Sequence, residues 1–150
     1  MSVSLLTALT DYYALVKKAA KNPAIVVPSE LKFMPGPGDD LESMIWVLTY
    51  AIMLHHQGNL KGSDKADYKC DVIDAFYGSL SYSALAEKRQ ILMLRGTLPH
   101  ASEPEHWIPD PIQCKWFRHA MMLVEGQIKR IKPITFDTFD ELCGEFMTDE

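Results

Sequence analysis

At 150 residues, 47% hydrophobic and 23% charged, the chain has the length and balance of one globular domain that buries a core without covalent staples, which excludes wholesale disorder. A net charge of -5 argues against nucleic acid as a partner, because gripping phosphates takes a clustered basic face. The nearest approaches to one, Lys17-Lys18 with Lys21 and Lys129-Arg130 with Lys132, read as cations complementing helix C-termini.

Leu5, Leu6, Leu9, Tyr12, Tyr13 and Val16 recur at three- and four-residue spacings, predicting an amphipathic helix over 4–21 that Pro23 stops. Ala24-Ile25-Val26-Val27, bounded by prolines, reads as an extended connector rather than a strand. Met34-Pro35-Gly36-Pro37-Gly38 is expected to lie outside regular helix, with Asp39 as the N-cap of the next helix and Glu42 reaching back to complete a capping box. Over 39–56 the apolar residues Leu41, Met44, Ile45, Val47, Leu48, Ala51, Ile52, Met53 and Leu54 cover most of the circumference. A helix apolar nearly all round is a buried central post or a membrane span, and this one is too short for a span, which needs about 20 mostly apolar residues.

A loop at 57–63 follows, then a helix from about Lys65 to Gly78 with Ala66, Cys70, Ile73, Ala75, Phe76 and Tyr77 on its inner side. Ser81 or Ser83 caps a helix running to about Arg95, with Leu85, Ile91, Leu92 and Leu94 inward and Gly96 as its stop. Residues 97–109, with three prolines and Trp107, read as a long loop that is functional, mobile or wrapped over a neighbour. Pro111 opens the most strongly amphipathic helix, carrying Ile112, Trp116, Phe117, Ala120, Met121, Leu123, Val124 and Ile128 and ending near Ile131. Thr135 caps a last helix with Phe136, Phe139, Leu142, Cys143 and Phe146 inward. The expectation is a single all-α domain of about six helices around a buried central helix.

No catalytic, cofactor or metal site is predicted. His55 and His56 diverge by about 100 degrees on a helix, and Cys114 and His119 are off the spacing that puts two ligands on one face. No nucleophile sits in a strand-turn-helix context, and Gly36-Pro37-Gly38 is not a phosphate loop, since proline removes a donor that such a loop uses. The paired carboxylates at Asp39-Asp40, Asp71 with Asp74, and Asp137 with Asp140 read as caps and solvated faces. Cys70, Cys114 and Cys143, widely spaced, form no disulfide framework and suggest a reducing compartment. The first residues have no secretory pattern and the last no lipidation motif, so cytoplasm or nucleus is the expected location, with no membrane partner.

The run Asp39-Asp40-Leu41-Glu42-Ser43-Met44-Ile45-Trp46-Val47-Leu48 resembles the start of the central helix in the C-terminal lobe of fungal-type protein kinases, and is similar to the same helix of the casein kinase one family. Phe33-Met34, Asp71-Val72-Ile73-Asp74-Ala75-Phe76, Ala86-Glu87-Lys88-Arg89 with Leu92, and Thr135-Phe136-Asp137-Thr138-Phe139 resemble neighbouring parts of that lobe, so the likeness spans about residues 33–147, with 1–32 as an added helix and connector. By the resemblance Asp40 matches the aspartate that supports the catalytic loop of kinases from below. The chain departs from the family in having no glycine-rich loop, strand lysine, HRD-type base or DFG-type metal ligand, all of which phosphoryl transfer requires. Pro28-Ser29-Glu30 is a loose match to the APE that closes an activation segment, and the helix at 4–21 occupies that segment's place.

The resemblance therefore implies a non-catalytic, kinase-like helical domain that works through a protein partner or self-association. The candidate structural or interaction residues are Asp39, Asp40, Glu42, Trp46 and Trp107. Without a catalytic loop the surface around Asp40 is expected to be partly uncovered, with the first helix and the loop at 97–109 as the segments to cover it or exchange across it. The alternative is the C-terminal fragment of a split or longer kinase, active only with its N-terminal part.

Overall fold

The computed structural model describes residues 1–29, 34–78, 81–95 and 104–144. All regular structure among them is helical. Helices α1 (Val3–Lys21) and α2 (Pro37–Asn59) are followed by α3, which is built from Gly62–Tyr68, a π-helical turn at Lys69–Ile73 and a closing turn at Asp74–Phe76. Then come α4 (Tyr82–Arg95), α5 (Pro111–Ile128) and α6 (Phe136–Gly144), with a 3-10 turn at Pro104–His106 before α5. The all-α expectation holds in kind and in the order of elements.

Helix boundaries follow from capping chemistry. The Ser2 hydroxyl accepts from the Leu5 N–H at 3.2 Å and opens α1, while Lys18 and Lys21 sit in its last turn, where the helix carbonyls favour cations. The connector after α1 is not extended throughout: it opens with a turn, the Ile25 N–H donating to the Asn22 carbonyl at 3.0 Å, and forms no strand, and the Tyr12 hydroxyl donates to the Pro28 carbonyl at 3.3 Å to hold it near the helix. Ser81 opens α4 by accepting from the Ala84 N–H at 3.2 Å; Asp110 opens α5 by accepting from the Gln113 N–H at 2.8 Å. Arg130, in the left-handed region at φ 55°, closes α5, with the Ile131 and Lys132 N–H groups both donating to the Gly126 carbonyl.

The start of α2 differs from the expectation. Gly36, not Asp39, is the N-cap; Pro37 and Gly38 are helical, and Asp39 is the third helical residue, its carboxylate accepting from the Gly36 N–H at 2.9 Å. Proline is no obstacle there, because the first turn has no use for its missing N–H. Gly38 is buried, and a side chain at this position would meet the Gln127 amide of α5 at 2.6 Å. At its other end α2 continues to Asn59, which shortens the expected loop to Leu60 and Lys61.

Helix α3 buries Tyr68, Val72, Ile73 and Phe76 and exposes Ala66 and Cys70, which the α-helical spacing had placed inside. The π-helical turn explains the change: its wider turn shifts the phase of the first half relative to the second, so a stripe drawn at 3.6 residues per turn misses the core before residue 70.

The core joins Ile45, Trp46 and Met53 of α2, Val72 and Phe76 of α3, and Trp116, Phe117, Ala120 and Val124 of α5, with Leu142 of α6 against them. Helix α1 packs chiefly on α4 through the face of Leu6, while Tyr13 and Val16 are exposed at its outer edge. Phe136, expected inward, is 71% exposed because α6 presents Leu142 to the core from its other side. The inward positions expected at Ile91, Leu92, Leu94 and Phe146, the stop at Gly96, and 97–103 of the expected loop lie outside what the structure describes.

Urea unfolding separates these two phenylalanines. Phe117→Ala, at a fully buried site against the Trp107 ring, is expected to lose about 3–5 kcal/mol of stability, whereas Phe136→Ala is expected to stay within about 0.5 kcal/mol of the parent protein.

Candidate functional site

Glu42 lies on the first turns of α2 facing inward and is fully buried. Its Oε1 accepts from the Val3 N–H at 2.8 Å, an otherwise unsatisfied donor at the start of α1, and from the indole Nε1–H of Trp46 at 3.0 Å. Its Oε2 has no hydrogen-bond partner among the described residues. Arg89, on the buried side of α4 with Ala86, brings the compensating charge. The Arg89 guanidinium donates to the Met1 carbonyl at 2.5 Å and lies over the Trp46 ring at 4.4 Å, with the Tyr77 ring at 5.6 Å. The Tyr77 hydroxyl donates to the Trp46 carbonyl at 2.7 Å.

Burial dominates the electrostatics. It pushes the Glu42 carboxyl above its ordinary value, against the Val3 and Trp46 N–H groups and the charge of Arg89, which lower it. Burial likewise lowers the Arg89 guanidinium, partly offset by Tyr77 and Glu42. Glu42, Trp46 and Arg89 are all buried among the described residues. The chemistry of this cluster is mutual charge neutralisation and the holding of two backbone groups from the start of the chain.

Of the residues singled out from sequence, Asp39 is the capping acid, Glu42 and Trp46 form the buried cluster, and Asp40 is exposed. Trp107 is apart from them. It is buried between Phe76, at 5.1 Å, and Phe117, at 4.9 Å, and its carbonyl accepts from the Tyr68 hydroxyl at 2.8 Å. The described end of the expected 97–109 loop is thereby fastened into the core. Beside it, His56, Tyr68 and the carboxylates of Asp64, Asp67 and Asp71 line an open hollow of about 360 Å³. No group of three or more histidine, cysteine, aspartate or glutamate side chains among the described residues is placed to hold a metal ion. The Cys114 and Cys143 thiols are pushed up by burial, away from the reactive thiolate form.

Sequence reasoning passes over one feature and meets a second only in part, through the surface expected to be uncovered around Asp40. Arg89 was legible as a cation sharing the inner side of an amphipathic helix with Ala86. The second is that α2 is not enclosed: opposite the buried Leu41, Ile45, Thr49 and Ile52, it shows solvent Met44 at 51%, Val47 at 64% and Leu54 at 42% exposure, with Ala51 also exposed. Asp40 heads this row. Its signal was the spacing 40, 44, 47, 51, 54, which falls on one side of a helix.

Compared with family models, curated proteins and solved structures, the chain matches none. No helix among the described residues is long and apolar enough to cross a membrane.

Because the folded protein holds the Glu42 proton more tightly than the unfolded chain, this residue's contribution to stability is greatest at low pH and falls as pH rises above the ordinary value of 4.5. Glu42→Gln keeps an acceptor for Val3 and removes the titration. The stability of the parent protein minus that of the variant is therefore expected to decline as pH rises above 4.5 in urea unfolding; a difference that rises with pH contradicts the assignment.

Proposed function

We propose that this chain is a non-catalytic helical domain of the protein-kinase C-lobe kind that acts by binding protein through the open face of α2. The observation that carries the reading is the row of Met44, Val47, Ala51 and Leu54, apolar and exposed on the helix whose opening residues carry the kinase resemblance. A soluble domain leaves a contiguous apolar row uncovered at a cost, and such rows mark interaction surfaces. The kinase likeness supports the choice of helix, and the lack of phosphoryl-transfer motifs supports a binding role.

A photo-crosslinking amino acid placed at Val47 in the expressed protein is the direct test. Adducts with protein are expected from position 47 and not from Glu87, an exposed control on α4; equal labelling from both sites removes the basis for the reading. Thermal unfolding with ATP and magnesium at about 1 mM is expected to be unchanged, and a rise of several degrees reverses the non-catalytic assignment.

The exposure of Asp40 favours a second reading, the C-terminal part of a longer or split kinase, because an uncovered carboxylate at this position suits a lobe parted from its catalytic loop. A reading frame upstream encoding a glycine-rich loop and a catalytic loop, whose product confers ATP binding when joined to this chain, decides for it.

A further inference from the structure

We propose that the occupant of the α2 face is a second copy of this chain, docked antiparallel about a two-fold axis that passes beside the middle of the row, between Val47 and Ala51. The proposal rests on the reading that this face binds protein, and adds the identity of the partner and the register.

The spacing is the first reason. Asp40, Met44, Val47, Ala51, Leu54 and Gly58 alternate four and three residues apart, the spacing that keeps a seam turned toward a neighbouring helix. At 1.5 Å per residue, the apolar stretch from Met44 to Leu54 runs about 15 Å. No charged residue interrupts it, and the half-exposed Tyr50 flanks it.

Size and charge then choose the direction. Antiparallel pairing about that axis sets Met44 opposite Leu54 and Val47 opposite Ala51, each pair made twice, so the small pairs meet at the centre where the helices come closest and the long side chains close the ends. It also sets Asp40 opposite Gly58 of the second copy, beside the exposed His55 and Lys61. A side chain at Gly58 would find nothing within 4 Å, so that end of the face has room for a carboxylate. Parallel in-register pairing does the reverse: it stacks Asp40 on Asp40 and leaves a gap where Ala51 meets Ala51. Opposite charges across the contact favour the first arrangement and like charges disfavour the second.

A seam of this length is smaller than a standard interface, so the dimer is expected to be weak, with sedimentation velocity passing from monomer to dimer between about 1 μM and 1 mM. Val47→Glu, at a solvent-exposed position and checked for unchanged urea unfolding, is expected to remain monomeric throughout. Asp40→Lys and Lys61→Asp each weaken association by up to about fivefold, and the two together in one chain restore it, as the exchange of an exposed charge pair requires. In a Cys70→Ser background, a mixture of Val47→Cys and Ala51→Cys proteins forms a disulfide-linked dimer on mild oxidation that neither forms alone.

A dimer that survives Val47→Glu, or Val47→Cys protein that crosslinks to itself as readily as to Ala51→Cys, overturns the proposal. So does a monomer at every concentration, and the photo-crosslink at position 47 then separates the two levels. Adducts with a different protein leave the binding reading standing with another partner, and their absence removes both.

Discussion

A carboxylate with no access to water must find its hydrogen-bond donors and its counter-charge inside the protein, and at Glu42 three helices are arranged around that requirement. The donors come from the first peptide of α1 and from an indole on α2 itself; the counter-charge comes from α4, held over that same indole. Helix α1 shares only a small part of the apolar core, so its position depends on this polar anchor at one end and on its packing against α4 along its length. A hydrophobic pair in the same space would bind α1 without dictating where the helix begins. The carboxylate dictates it, because it takes its backbone hydrogen bond from the Val3 N–H.

The cluster also sets apart two faces of α2. One side gathers Leu41, Ile45 and Ile52 around Glu42 and Thr49 and packs against α3 and α5. Among the described residues the other side shows Met44, Val47, Ala51 and Leu54 to solvent.

Most of the fold was legible in the sequence because its punctuation is local. Ser2, Ser81, Asp110 and Thr135 each precede a helix and use a side-chain oxygen to satisfy its first donors, so the starts were readable from residue type alone. The failures have non-local causes. Pro37 and Gly38 are breakers by residue type, yet both lie in the first turn of α2, and the close approach of Gln127 from α5 leaves no room for a side chain at position 38. The all-round apolarity of α2 could not say whether the second face was covered, since that depends on what the remaining chain packs against. Of the site residues, Asp39 and Glu42 suit a capping role that only Asp39 performs, and Trp107 is a core anchor whose setting depends on residues from two other helices, α3 and α5.

The π-helical turn in α3 carries a consequence for how this chain can change over generations. Tyr68 and Phe76 face the same core only because the turn at Lys69–Ile73 lies between them. Losing a single residue there would tighten the helix and swing one half by about 100 degrees relative to the other. Either Tyr68 would leave the carbonyl of Trp107, or Tyr77 would leave that of Trp46. Substitutions at the exposed Lys69, Cys70 and Asp71 leave that geometry alone. This stretch should therefore drift freely in composition while its length stays fixed, a pattern of gene-level constraint that spelling alone would not reveal.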